Sequence, residues 1–388
     1  MEPTRSQFAL RQELARRLNM DFALRIGAYG TATGGGSAKR NLIDTALLTQ
    51  PDDFWNGSWL YIWNPIRGTN ADTVRLITDF DQGNGAVEFL EPLDAQVASG
   101  DTYEIHSPWS ALQMHDAIND AIDDAFPEFF DVVTDETVIL QEDKLEYSLP
   151  YESRTIRADA YPYYVTQIWL EEASDKVRGT ASGGSSTTLV DSGQSWDNDK
   201  WNGMQVAIYD GTGKGQFATI TDTSSSNTLT VAAWLGTGTT SPSTDSKYVI
   251  KDTLTEQHDW YRITAARFDK TYWPTTVYLT SNYSSALGHA LRIQYIAKPA
   301  SMSTHAEAYT IVPANFILAK AQALLHGMKV ADSRSDQDRH RYMHQFWESR
   351  AEAYKLQNKW RMPKGTLWIE EETAGNQVPS DYPFRASS

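Results

Sequence analysis

Two parts of the chain share one sequence pattern, and this duplication constrains the fold more than any other feature. Five blocks of similar residues occur twice in the same order. They pair Gly30–Gly35 with Gly179–Gly184, Leu42–Thr45 with Leu189–Ser192, Trp55–Gly57 with Trp201–Gly203, Leu76–Asp79 with Thr219–Asp222, and Tyr103–Ile105 with Tyr248–Ile250. Chance does not keep five blocks in order, so the chain contains two copies of one structural unit.

Each copy has the composition and periodicity of a small β module. Both are rich in Gly, Thr, Ser and Asp, and runs such as Met204–Tyr209 and Phe217–Ile220 alternate apolar and polar residues. Such runs predict short antiparallel strands, and Asp210–Gly213 between them is typical of a hairpin turn. The residues predicted to anchor the module cores are Trp55 and Gly57 in the first copy and Trp201 and Gly203 in the second.

Outside the two copies, the apolar residues follow helical periodicity. Capping residues and prolines mark where the helices begin. The predicted helices run from Thr4 to about Leu18, from Ser107 to about Phe126, from Pro313 to Met328, and from Ser335 to about Trp360. The apolar face predicted for the second helix includes Leu112, Ile118 and Ile122. Strand-like runs on both sides of the second copy, among them Tyr163–Leu170 and Leu291–Tyr295, predict a central sheet.

The predicted fold class is α+β, with a helical core of about four helices, a central antiparallel β domain and two homologous small β-barrel or sandwich insertions. The predicted segments are the N-terminal helix of the helical core (1–29), the first β module (30–107), a core helix (108–130), the first part of the central β domain (131–178), the second β module (179–252), the second part of the central β domain (253–300), the C-terminal helix pair of the core (301–362) and a C-terminal arm (363–388).

The sequence lacks the motifs of the common enzyme classes. Cys is absent, which excludes disulfides, thiolate catalysis and Cys-type zinc sites. Gly211–Gly215 contains a Lys but lacks the spacing and the Ser or Thr of a phosphate loop, and no Gly-x-Ser-x-Gly motif occurs. His340 and His344 are four residues apart with no third ligand nearby, so we interpret them as surface or interface histidines. We therefore predict that the chain is not an enzyme and has no catalytic residue, cofactor or metal.

The formal net charge of −16 disfavours general nucleic-acid binding, because phosphate contacts need Lys and Arg. Acidic residues dominate between Asp116 and Asp175, whereas basic residues dominate between Lys320 and Arg361. This asymmetry suits a chain that docks on copies of itself or on a partner, and the alternative is two solvated helix faces. No apolar run approaches the ~20 residues of a membrane span, and we predict a protein made in a cytoplasm, with no membrane contact.

Several segments resemble proteins of tailed bacteriophages. Gly179–Gly184, Leu189–Ser192, Trp201–Gly203 and Tyr209–Gln216 are similar to a β module found in tailed-phage structural proteins. The segments that resemble phage head-to-tail connector (adaptor) proteins are His115–Ile122, Phe126–Pro127, Glu146–Pro150, Val312–Ala314 and Met362–Thr366. The resemblance covers most of the chain and rests on pattern and order. Compact adaptors of this kind are much shorter, and both β modules are additions to their pattern.

The resemblance implies a structural virion protein made in the bacterial host cytoplasm: a head-to-tail adaptor in the neck, forming a homo-oligomeric, dodecameric ring. Portal, tail and neck proteins would be its partners, and DNA would pass through the lumen without specific binding. The residues that would contact a neighbouring copy or the portal are Phe346, Trp347, Arg350, Tyr354, Leu367, Trp368 and Ile369. The alternative is a tail-fibre, baseplate or receptor-binding virion component that binds carbohydrate through the β modules.

Overall fold

A computed structural model describes residues 6–22, 28–64, 69–149, 162–236, 238, 240–253, 260–263, 266–269, 275–281, 283–302, 311–330 and 336–358. Within these residues the chain has a mixed α+β fold, as predicted, with four α-helices and with antiparallel sheets. The chain divides into two compact units. Unit 1 comprises the described residues of 1–130 and 299–361, and unit 2 comprises those of 131–298.

Unit 1 combines helices with a six-stranded sheet. Its helices are α1 (Gln7–Phe22), α2 (Ala111–Asp123), α3 (Ala314–Val330) and α4 (Gln337–Asn358). Its strands are β1 (Ala28–Thr31), β2 (Asn41–Ile43), β3 (Trp59–Asn64), β4 (Thr73–Asp81), β5 (Ala86–Phe89) and β6 (Thr102–His106), in the order β1-β6-β3-β4-β5-β2. The helices share an apolar cluster that includes Leu14, Ile118, Phe316 and Leu325. No helix among the described residues is long and apolar enough to cross a membrane.

Helix α2 begins later than the sequence predicted. The predicted start at Ser107–Pro108 is wrong, because Ser110 caps the helix. The Ser110 hydroxyl accepts from the backbone N of Gln113 at 3.2 Å, and the Gln113 side-chain oxygen accepts from the backbone N of Ser110 at 2.9 Å. This capping box satisfies two backbone donors near the helix start. Leu112, predicted on the apolar face, is 37 % exposed, whereas Met114 is buried.

Polar side chains also cap α1 and α4. The Ser6 hydroxyl accepts from the backbone N of Ala9 at 3.2 Å, and the Asp336 carboxylate accepts from the backbone N of Arg339 at 3.2 Å. Helix α3 begins directly after Pro313, as predicted. The predicted helix starts at Thr4 and Ser335, the predicted helix end at Trp360 and the C-terminal arm 363–388 lie outside the described residues.

The described part of unit 2 consists mainly of strands. They are β7 (Asp131–Ile139), β8 (Glu146–Leu149), β9 (Pro162–Glu171), β10 (Asp175–Thr180), β11 (Gly183–Gly184), β12 (Thr188–Val190), β13 (Gln205–Asp210), β14 (Gln216–Ser224), β15 (Thr228–Val231), β16 (Leu235–Gly236), β17 (Lys247–Lys251), β18 (Trp260–Ile263), β19 (Ala266–Asp269), β20 (Thr275–Leu279) and β21 (Ala290–Ala297). The largest sheet has the order β10-β17-β13-β14-β15-β12-β11, with β16 paired to β14. Two smaller sheets, β18-β9-β21-β7 and β19-β20-β8, share a core that contains Tyr147, Ile168, Val277 and Ile293.

The two repeated segments have the same strand order. Strands β1, β6, β3, β4, β5 and β2 correspond in sequence to β10, β17, β13, β14, β15 and β12, and they are neighbours in the same succession. The residue pairing also agrees, since Leu60 lies opposite Ile105 in the first copy and Val206 lies opposite Ile250 in the second. The register shifts at the same place in β4 and in β14. The repeated sequence blocks therefore correspond to repeated strand pairing.

A buried Tyr–Asp hydrogen bond recurs in both copies. The Tyr103 hydroxyl donates to Asp44 Oδ2 at 2.8 Å, and the Tyr248 hydroxyl donates to Asp191 Oδ2 at 2.7 Å. Burial and the neighbouring carboxylate raise the pKa of both tyrosine hydroxyls far above the ordinary value. Each tyrosine therefore stays protonated and links the last strand of its copy to the residue that directly follows β2 in the first copy or β12 in the second.

The glycine that opens each repeated block leaves no room for a side chain. A Cβ at Gly179 would lie 2.6 Å from Asp191 Oδ2 and 2.7 Å from the Tyr248 hydroxyl. We expect Gly179→Ala to lower the free energy of unfolding by about 1–3 kcal/mol, because the buried pair must shift. The matched control is Gly183→Ala, since nothing lies within 4 Å of a Cβ at Gly183. Urea unfolding followed by circular dichroism measures both variants, and equal midpoints would contradict the expectation.

Candidate functional site

The exposed side of α4 is the strongest candidate for a functional site. Its large side chains are open to solvent, with Tyr342 65 % exposed, Phe346 41 % exposed and Leu356 66 % exposed. Exposed apolar side chains that form one patch are typical of interaction sites, because water contact with them is unfavourable. We name this patch the aromatic face of α4, and its members are Tyr342, Gln345, Phe346, Ser349, Arg350 and Leu356.

Contacts within the aromatic face combine apolar rings with one positive charge. The rings of Tyr342 and Phe346 are stacked with their centroids 6.4 Å apart. The Arg350 guanidinium carbon lies 5.9 Å from the Phe346 ring centroid, and the guanidinium donates to the Tyr354 hydroxyl at 3.4 Å. A guanidinium that packs its planar surface on aromatic rings can still donate N–H hydrogen bonds to a carboxylate. The face is therefore suited to an apolar surface that also carries carboxylates.

The predicted contact residues of α4 divide between this face and the interior. Phe346 and Arg350 lie on the exposed face, but Trp347 and Tyr354 are half-buried and pack against the helical cluster. Trp347 and Tyr354 therefore expose less of their rings than Phe346 does, and their contact with a neighbouring copy or the portal stays a prediction. Leu367, Trp368 and Ile369 lie outside the described residues. Sequence reasoning missed Tyr342 and Leu356, although Tyr342, Phe346 and Arg350 are spaced four residues apart.

The anchor residues of the repeats lie inside or beside the module cores. Trp55 and Trp201 are both buried. Gly57 and Gly203 have φ values of +78° and +82°. Gly57 donates its backbone N–H at 2.9 Å to the Ile77 carbonyl in β4, and Gly203 donates at 2.9 Å to the Ile220 carbonyl in β14. Glycine adopts this left-handed conformation without the steric cost that a Cβ brings, which explains why both copies have it after Trp-Asn. Neither tryptophan presents an open ring on which a sugar could stack.

His340 is not a surface residue, so the interpretation of His340 and His344 as surface or interface histidines is wrong for the first. His340 is 7 % exposed, and its Nδ1 lies 3.1 Å from Nδ1 of the fully buried His326. Both imidazoles pack edge-on against Trp109, at 5.5 Å and 6.2 Å between centroids. The Nδ1 of His344 lies 2.8 Å from the Ala323 carbonyl oxygen. These histidines join α3 to α4. The described residues contain no group of three or more His, Asp or Glu placed to hold a metal ion.

Acidification should weaken this packing. Burial lowers the pKa of His340 below 6.5, and His326, Lys329 and Arg339 act in the same direction while Asp336 opposes them. Below pH 6.5, His340 binds a proton more readily in the unfolded state than in the folded state. The free energy of unfolding is therefore highest above pH 6.5, as far as His340 contributes to it, and it decreases as the pH falls below that value. We expect a lower urea midpoint at about pH 5.5 than at about pH 7.5. The difference should shrink in His340→Gln, and an equal pH dependence in both proteins would contradict this account.

A buried ion pair fixes α1 to β6 within unit 1. The Arg11 guanidinium donates to both oxygens of Glu104, from Nε at 3.0 Å and from a terminal nitrogen at 2.6 Å. Both side chains are fully buried, and His106 Nε2 lies 2.7 Å from a Glu104 oxygen. The guanidinium also lies 5.3 Å from the Tyr61 ring centroid. Because solvent does not reach these groups, we interpret the cluster as structural.

Unit 2 has a buried ion pair at the corresponding strand end. Lys251, the last residue of β17, pairs with Glu171 at the end of β9, and both side chains are fully buried. Glu171 also accepts from the backbone N of Ala290 at 2.7 Å. Burial lowers the pKa of Lys251, and the adjacent Glu171 carboxylate opposes that shift. Lys251 occupies the repeat position of His106, so the last strand of each copy ends at a buried carboxylate.

The glycine-rich segment 211–215 is a turn between β13 and β14. The Thr212 backbone N and hydroxyl each donate to Asp245 Oδ2 at 3.0 Å. The Asp245 carboxylate therefore already accepts from the Thr212 donors, and a phosphate loop would use such donors to bind a phosphate.

No protein-family model, curated protein or solved structure is significantly similar to the chain.

Proposed function

We propose that the chain is a structural virion protein: a head-to-tail adaptor that forms a ring between portal and tail, through which DNA passes. The observation that carries this proposal is the aromatic face of α4. Tyr342, Phe346 and Leu356 expose large apolar side chains on one helix. Contact of these side chains with water is unfavourable, and binding to another protein surface would remove it. A virion component covers such area when it assembles.

The resemblance to phage adaptors supports the same proposal from the sequence. Its segments fall on several described elements: His115–Ile122 lies in α2, Glu146–Leu149 is β8, and Val312–Ala314 precedes and opens α3. The negative net charge of −16 fits a conduit that must let DNA slide past without gripping its phosphates.

We propose the finer architecture together with this function. A helical core and a central antiparallel β domain would each carry one small β-barrel or sandwich insertion, at 30–107 and 179–252, and the two insertions would be homologous. The shared strand order and the repeated Tyr–Asp hydrogen bond support this division. The alternative function, carbohydrate binding by a fibre or baseplate component, has less support because Trp55 and Trp201 are buried.

Particle size and shape test the proposal. Mass photometry and negative-stain microscopy of the purified full chain, alone and with portal-bearing heads, should reveal rings. Phe346→Glu should reduce ring formation, because a carboxylate would then lie in the apolar patch, whereas Ser225→Glu on an exposed turn of the second copy should not. Monomers under both conditions would overturn the proposal.

A further inference from the structure

The side chains of α2 that face solvent form a surface complementary to the aromatic face of α4. Asp116 and Asp120 are exposed and lie one turn apart, while Ile118 and Ile122 on the other side are buried. Leu112, one turn before Asp116, is 37 % exposed. We name Leu112, Asp116 and Asp120 the acidic face of α2. The helix contains no Lys or Arg, so its exposed side is negative around one apolar side chain.

The spacing of the two faces matches. Leu112, Asp116 and Asp120 are four residues apart, as are Tyr342, Phe346 and Arg350. Rows of residues four apart form the ridges that interdigitate in the commonest class of helix packing. An alignment that places Phe346 on Leu112 therefore also brings Arg350 beside Asp116. In this arrangement the exposed ring covers the exposed leucine, and the guanidinium meets a carboxylate.

The charges around the contact favour the same pairing. The exposed charged residues of α4 are basic at Arg339, Arg341 and Arg350 and acidic at Asp338 and Glu352, so a small positive excess remains. Arg341 lies 3.4 Å from Asp338, which neutralises part of its charge. Opposite charges at the rim of an interface accelerate association and disfavour incorrect partners. Pairing two α4 faces with each other would instead leave Arg350 without a carboxylate among the residues of the facing aromatic face. A second copy that presents α2 thus fits better than one that presents α4.

We propose that the aromatic face of α4 in one copy docks on the acidic face of α2 in a second copy. This inference rests on the proposed adaptor function and specifies the contact that would build its ring. The two faces are different surfaces of the chain, so the contact is heterologous, and each copy keeps one face for the next neighbour. Contacts of this kind close into rings when the rotation between neighbours permits it.

Disulfide trapping tests the contact, because the chain has no Cys and introduced thiols are unique. The experiment mixes full-length Phe346→Cys with full-length Leu112→Cys under mild oxidation. We expect a disulfide-linked dimer in the mixture and little in either variant alone. Ser225→Cys, on an exposed turn of the second copy, replaces Leu112→Cys as the collision control. Circular dichroism verifies that each variant is folded.

Charge reversal provides the second measurement. Arg350→Glu and Asp116→Arg should each weaken self-association about tenfold, and the double variant should recover most of that loss. Trapping no stronger than with the Ser225→Cys control would overturn the contact. So would equally strong dimers of Phe346→Cys alone, or a double variant no better than the single ones.

The outcomes separate this contact from the adaptor function. Rings in the microscope without trapping of Phe346 to Leu112 would overturn the contact and leave the adaptor proposal standing. A trapped Phe346→Cys with Leu112→Cys dimer, from a protein whose particles neither close into rings nor bind portal-bearing heads, would support the contact and overturn the adaptor function.

Discussion

Arg11→Met should lower the free energy of unfolding of unit 1 by about 3–5 kcal/mol, because it leaves the Glu104 carboxylate buried without its ion-pair partner. Both side chains are fully buried, and the guanidinium donates to both carboxylate oxygens. Methionine restores much of the aliphatic volume, so the loss reports mainly on the charge. In the variant, His106 would still contact Glu104 Oε2, but Glu104 Oε1 would lose the hydrogen bond that Arg11 donates.

The matched control is Arg16→Met in the same helix. Arg16 pairs with Glu13 at 2.6 Å, but its side chain is 60 % exposed, so the pair contributes at most about 1 kcal/mol. Urea unfolding with hydrogen-exchange mass spectrometry of peptides from α1 and β6 measures both variants. Adding Glu104→Gln to Arg11→Met should restore much of the stability, since a neutral amide tolerates burial better than a carboxylate. Equal losses for Arg11→Met and Arg16→Met would contradict the buried-charge explanation.

The parts of the fold that local sequence encodes were predictable. The repeated blocks indicated repeated strands, because residues such as Trp55 and Gly57 fill sites that each copy needs for its own turn and core. The start of α3 after Pro313 was also predictable, since proline fits the first positions of a helix. These turn, core and helix-start preferences depend on a few neighbouring residues, so they can be read from the sequence.

Contacts between distant residues could not be predicted in the same way. Arg11 and Glu104 are common residue types far apart in the chain, and nothing in their local sequence marks them as buried partners. His340 lies in a helix whose other residues are mostly polar, so its burial depends on where α3 supplies His326. The same packing decides which rings of α4 face solvent, and this is why the sequence could not separate the exposed Phe346 from the half-buried Trp347 and Tyr354.

The second large effect is expected at Lys251, whose charge is buried together with Glu171 in unit 2. Lys251→Met keeps the aliphatic stem but leaves the carboxylate unpaired, and we expect a loss of about 3–5 kcal/mol. Lys247→Met in the same strand is the matched control. Lys247 is 40 % exposed while it pairs with Glu142 at 2.7 Å and Asp210 at 2.9 Å, so Lys247→Met should destabilise the protein much less than Lys251→Met does.

A double-variant cycle tests the cause of that loss. Glu171 has a second role, since it accepts from the backbone N of Ala290 at 2.7 Å, and replacing it with an apolar residue would leave that donor without its acceptor. Glutamine keeps an oxygen for this hydrogen bond and removes the charge. Lys251→Met with Glu171→Gln should therefore be more stable than Lys251→Met alone, by an amount visible in the urea midpoint. If the double variant loses the sum of the two single losses, the two charges are not coupled and the buried pair does not hold β17 to β9 by charge.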